Sequence, residues 1–243
     1  MDKDQVSISR GDFLKTVGAY IFLGISSIKV FPGLFKKVIF RLAEANAYDV
    51  FQNLPTRETP LIIDEKRKRV LIYTEVNGIN VRKWNNHWGI VSKDGKFQDR
   101  AILIAYANHL DFHDALLKIG AKPGNNLNKD TNGKYVEGDP LDIKATWPGL
   151  GKELTLDEIF IDEKGKKFNI RFGGNRKASE EKRTGCLTCL ESCWIAISSN
   201  ANYPQIGSIK RFINPNSRFK GRDDILPDDG KPVIMIYKVA NGK

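Results

Sequence analysis

Two stretches, Arg69-Val-Leu-Ile-Tyr-Thr-Glu-Val76 and Val233-Ile-Met-Ile-Tyr-Lys-Val239, are so dense in β-branched and aromatic residues that they commit the chain to sheet. Shorter runs repeat the pattern at Trp88 to Ser92, Ala101 to Ala107, Leu141 to Trp147 and Lys167 to Phe172. Asn77-Gly78 and Asp94-Gly95 are strong turn pairs that punctuate them. Only one internal segment carries a clear helical period. Phe112, Leu116 and Ile119 mark its face, Asp111 is placed to cap it, and Gly120 with Pro123 stops it. Residues 173–185 read as a polar loop. The expected fold class is therefore α+β: a mainly antiparallel sheet with one clear internal helix, preceded by an N-terminal helical leader. The expected organisation is a leader over residues 1–59 and a single domain over 60–243.

All three cysteines of the chain fall within eight residues, Cys186-Leu-Thr-Cys189-Leu-Glu-Ser-Cys193. A chain that used thiols as core filler would scatter them. The C-x2-C-x3-C spacing instead brings three soft ligands toward one point, as an iron–sulfur cluster requires. It matches the last three ligands of a bacterial ferredoxin run, lacking the first cysteine and carrying Trp194 where that run has proline. The expected cofactor is an iron–sulfur cluster of the [4Fe-4S] type on Cys186, Cys189 and Cys193, with zinc as the alternative metal. A Cys186–Cys189 disulfide and metal-free reactive thiols remain open beside it.

Three histidines are candidates to complete such a site. His109 and His113 are spaced i, i+4, but a cap at Asp111 leaves His109 outside the helix, so His113 is the candidate metal ligand and His87 the weaker one. Ser198, Ser199 and Asn200 stand close enough in sequence to donate hydrogen bonds to the sulfurs. No phosphate-binding glycine loop, G-x-S-x-G or H-E-x-x-H occurs.

The net charge of +10 is uneven, since residues 171–222 alone carry +7. That stretch is a candidate docking surface for an acidic redox partner or a larger complex. Nucleic acid is not the expected partner, because no helix-turn-helix, RNP or zinc-finger pattern accompanies the charge.

Ser9-Arg-Gly-Asp-Phe-Leu-Lys15 resembles the twin-arginine export signal except at Gly11, and a 12-residue apolar run from Val17 to Ile28 follows it. Leu34, Phe35, Val38, Ile39 and Leu42 then recur at helical spacing among Lys36, Lys37 and Arg41, so residues 33–47 read as a basic amphipathic helix for a membrane surface or a partner subunit. The expected location is periplasmic or otherwise exported, with attachment to a membrane, and cytoplasmic if the leader does not function.

The segments Leu110 to Gly124, Gly138-Asp-Pro-Leu-Asp-Ile-Lys-Ala-Thr-Trp147, Gly185 to Ala201 and Lys220 to Val233 together resemble the YdjY-domain family over roughly residues 60–240. The resemblance implies a loosely ferredoxin-like character and assigns no catalytic residue. The function these readings point to is an exported or membrane-attached iron–sulfur accessory protein, for electron transfer or subunit support in a redox complex. The alternatives are an enzyme that uses an open-iron cluster or reactive thiols on a small substrate, and a structural or assembly subunit holding a disulfide or zinc. The enzyme alternative requires a concave pocket beside the cysteines with a group such as His113 directed into it.

Overall fold

Strand β12 (Pro232–Val239) lies between β2 (Arg69–Val76) and β5 (Leu141–Thr146), antiparallel to both, and this trio forms the centre of the fold. The computed structural model describes residues 54–84, 87–206 and 217–240. These belong to one compact unit, Val50–Lys243. Residues 1–53 of the leader, including its 33–47 segment, and Lys210, Arg211 and Phe212 of the basic stretch lie outside the described residues.

Beyond β5 the sheet ends at β6 (Leu154–Thr155). On the other side β2 pairs with β1 (Leu61–Asp64) along its first half and with β4 (Leu103–Ala105) along its second. The order then runs through β3 (Trp88–Ser92), β9 (Cys186–Cys189), β10 (Ser198–Asn200) and β8 (Ile170–Phe172). The β3–β4 and β9–β10 pairs are parallel, so this ten-stranded sheet is mixed. A two-stranded sheet of β7 (Phe160–Asp162) and β11 (Phe219–Gly221) completes the strands.

The expected α+β class is overturned. The described chain is mostly β, with four short α-helices among the described residues: α1 (Gly78–Val81), α2 (His109–Lys118), α3 (Leu156–Ile159) and α4 (Arg176–Lys182). Only α2 exceeds two turns. Short strands at close intervals leave helices too little chain to form a layer of their own.

The long strands fall where composition places them, because Val, Ile and Tyr bury well on a pleated surface. The helix begins earlier than expected. Asn108, not Asp111, caps α2, its side chain accepting from the Leu110 amide at 2.8 Å, so His109 is inside the helix. Gly120, at φ +91, ends it. Phe112, Ala115 and Leu116 bury one face against the sheet, and the Phe112 ring meets Tyr237 of β12 at 4.7 Å. Burying a side chain such as Phe112 contributes about 1.5–3 kcal/mol. Tyr237 passes its hydroxyl to Thr188 of β9 at 2.9 Å, and Thr188 meets Ser198 of β10 at 3.0 Å. A buried chain of hydroxyls thus ties the central strand to the cysteine strand.

No helix among the described residues is long and apolar enough to cross a membrane.

Candidate functional site

Residues three apart on a regular strand point to opposite faces. Cys186 and Cys189 nevertheless share one face of β9. The reason lies in its pairing with β3: Trp88 faces Cys189, Ile90 faces Thr188 and Val91 faces Cys186, which leaves Gly89 and Leu187 as extra residues. Two successive bulges re-aim the side chains, as bulges beside functional sites commonly do. Gly89 is required there, since a Cβ would lie 2.9 Å from Leu190 Cδ2 and 3.0 Å from the Thr188 carbonyl.

Cys186 and Cys189 then pack with Trp88, Val91, Ala101 and Ala196 in a small apolar cluster separate from the main core. Cys193 comes from the turn after β9 and packs against the same cluster, half-buried. All three are free thiols in this structure.

The three sulfurs are electrostatically unequal. Burial pushes the Cys186 and Cys189 thiols up, keeping both protonated at neutral pH. Cys193 is held below the ordinary thiol range, first by a hydrogen bond from the Cys189 thiol and then by the backbone N–H groups of Ile195 and Ala196. These donors all favour the charged form against the opposing effect of burial, which makes Cys193 the most acidic of the trio.

The turn carrying those amides is pinned from outside. The Asn175 side-chain amide donates to the Cys193 carbonyl at 3.1 Å and the Ala196 carbonyl at 3.3 Å. Asn175 sits at φ +49, a left-handed conformation that asparagine tolerates, and its own amide donates to Asn125 Oδ1 at 3.0 Å. Ser199 Oγ accepts from the Cys193 amide at 3.4 Å, while Asn200 Nδ2 donates to the Leu190 carbonyl at 3.1 Å. Ser198 bonds the Leu187 carbonyl at 2.9 Å. These three side chains, expected to donate to the sulfurs, hold the backbone around them instead.

His87 stacks on Trp88 at 4.2 Å and stands 3.9 Å from Glu191, beyond hydrogen-bonding reach. Burial, with Arg100 nearby, pushes its pKa down to about 4, so it is neutral at pH 7. Glu191 is buried and accepts from the Ser217 hydroxyl.

His113 does not join the thiols. It faces a cleft whose wall includes Asn175, where the expected fourth ligand would have needed to stand among Cys186, Cys189 and Cys193. The trio has the donor chemistry for iron–sulfur or zinc ligation. Among the described residues, though, no group of three or more His, Cys, Asp or Glu is positioned to hold a metal ion. Three of the eight described cations in the basic stretch are paired: Arg176 with Asp114, Arg218 with Glu163 and Arg222 with Asp224.

Sequence reasoning missed Asn175 and helix α4. The only local signal was Gly173-Gly174-Asn175, three residue types that favour special backbone angles.

Residues 61–238 match the YdjY domain. The chain is 38% identical over 184 residues to the Escherichia coli (strain K12) protein named "Uncharacterized protein YdjY", an alignment that spans 74% of this chain and 79% of that one. No solved structure matches the chain. The segments from the α2 helix to the cysteine turn all fall inside the matched region, and the chain belongs to the YdjY-domain family.

Proposed function

We propose that the cysteine cluster is a thiol–disulfide exchange centre with Cys193 as the attacking thiolate and Cys189 as the resolving thiol. The observation that carries this is the inequality of the sulfurs: a partly buried Cys193, held more acidic than an ordinary thiol, is hydrogen-bonded by a buried, protonated neighbour.

In the first step Cys193 attacks one sulfur of a substrate disulfide. The substrate S–S bond breaks, and one half leaves as a thiolate that takes up a proton. Cys189 then loses its proton, attacks the Cys193 sulfur of the mixed disulfide, and releases the other half as a thiol. The substrate gains two electrons, the Cys189–Cys193 pair loses them, and an external dithiol restores the pair. The resemblance of residues 9–15 to an export signal supports a periplasmic or membrane-attached setting, where disulfide substrates persist.

Limiting oxidised glutathione followed by peptide mass spectrometry tests the assignment. A Cys189–Cys193 disulfide is expected in the native chain, and Cys189→Ser should accumulate a mixed disulfide on Cys193. A mixed disulfide that forms on Cys186 instead, or equally on all three, would overturn it.

A second reading rests on the packing of three thiols against one apolar cluster: the iron–sulfur accessory protein, with Cys186, Cys189 and Cys193 as ligands and a redox partner or larger complex as its neighbour. Iron and acid-labile sulfide analysis after anaerobic purification separates the two. About four of each per chain, lost in Cys186→Ser, would favour the cluster.

A further inference from the structure

On the far side of Asn175 from the thiols, helices α2 and α4 and the turn around Pro123 line an open, shallow cleft of about 650 Å³. His113 is built into its wall. It is only 6% exposed, and its Nδ1 lies 2.8 Å from Asp114 Oδ1. Asp114 in turn receives Nε and Nη2 of Arg176 at 3.1 and 3.2 Å. The Arg176 guanidinium, then His113, hold the Asp114 carboxyl below its usual range. An imidazole oriented this way through one nitrogen presents the other, Nε2, to whatever enters. Leu117, one turn along α2 on the same face, also lines the cleft and is 44% exposed, an uncovered apolar surface at its mouth.

We propose that this cleft binds a small monocarboxylic acid with an apolar body. Leu117, Leu127 and Pro123 receive the body. Lys177, the Asn125 side-chain amide and His113 receive the carboxylate. Asn125 is poised for this because its Oδ1 is already taken by the Asn175 amide, which leaves Nδ2 to donate.

Charge selects the monoanion. Arg176 is neutralised by Asp114 and by Glu180 at 3.6 Å. Among the described residues, Lys177 is the lining cation with no carboxylate partner, and Glu181 beside it opposes a second negative charge. The assignment does not depend on whether the cysteines exchange disulfides.

The test is an NMR titration of the full chain with hexanoate, using hexanol and hexyl phosphate as comparators. Hexanoate should shift the Asn125 side-chain amide and the Leu117 methyls, with both comparators at least about tenfold weaker. Lys177 is exposed, so Lys177→Met should fold normally while weakening hexanoate about tenfold. Shifts outside the cleft only, no binding by hexanoate, equal binding of hexanol or hexyl phosphate, or an unchanged Lys177→Met affinity would each overturn the proposal.

Discussion

A cysteine becomes a thiolate only where its neighbours favour charge over neutrality, and at Cys193 those neighbours are one thiol and two amides. Iodoacetamide at pH 7 should therefore label Cys193 well ahead of Cys186 and Cys189, which peptide mapping at short times will read. The amides belong to Ile195 and Ala196, whose turn is fixed by Asn175. Asn175→Ala should let the turn drift and return the thiol toward its ordinary range. The thiolate fraction at neutral pH should fall with that return. The alkylation rate should consequently fall at pH 7 but converge with the native rate near pH 10. A rate lowered equally at both pH values would mean that Asn175 only supports packing.

At the scale of elements, the site depends on the paired bulges of β3 and β9. Gly89→Ala introduces a methyl group against Leu190 and the Thr188 carbonyl, and should cost about 1–3 kcal/mol in urea unfolding. It should also blunt the preference for Cys193, since the strand that aims Cys189 must shift. Thr155→Ala is the contrasting change: it removes the capping box of α3, in which Glu158 accepts from the Thr155 amide at 2.6 Å, and should cost about 1 kcal/mol while leaving thiol labelling alone.

Elements of this kind were unevenly legible. β2, β3 and β12 were readable because their side chains are dense in residues that suit a pleated surface. That the three cysteines pack against one cluster was suggested by their spacing. The bulges were not, because a register shift is decided between strands almost a hundred residues apart and leaves only a lone glycine as its trace. Helix α4 was missed because Arg176–Lys182 is too short and too polar to show a period, and its one fully buried residue is Ser179. The fold class failed for a related reason: one strongly periodic helix stood out among many short strands and was given the weight of a layer.

Across the whole molecule, pH acts through groups kept neutral inside it. His87 has its folded pKa at about 4, below the value near 6.5 expected of the unfolded chain. Stability from this residue is therefore full above pH 6.5, declines as pH falls toward 4, and levels off below. The slope is about 1.4 kcal/mol per unit within that window. His87→Gln should flatten it, as measured by urea midpoints across the range.

The placement of β12 has a kinetic consequence. Thr74 and Val233 share a hydrogen bond although 159 residues separate them, and the strand that supplies Val233 also pairs with β5. During synthesis β2 and β5 both leave the ribosome long before their common partner exists, and each waits with an unpaired edge. Such late, distant pairing is slow, and open edges of that kind seek one another in other molecules. The chain should therefore refold in good yield only when dilute, and in the cell it should spend its first moments in the hands of a chaperone.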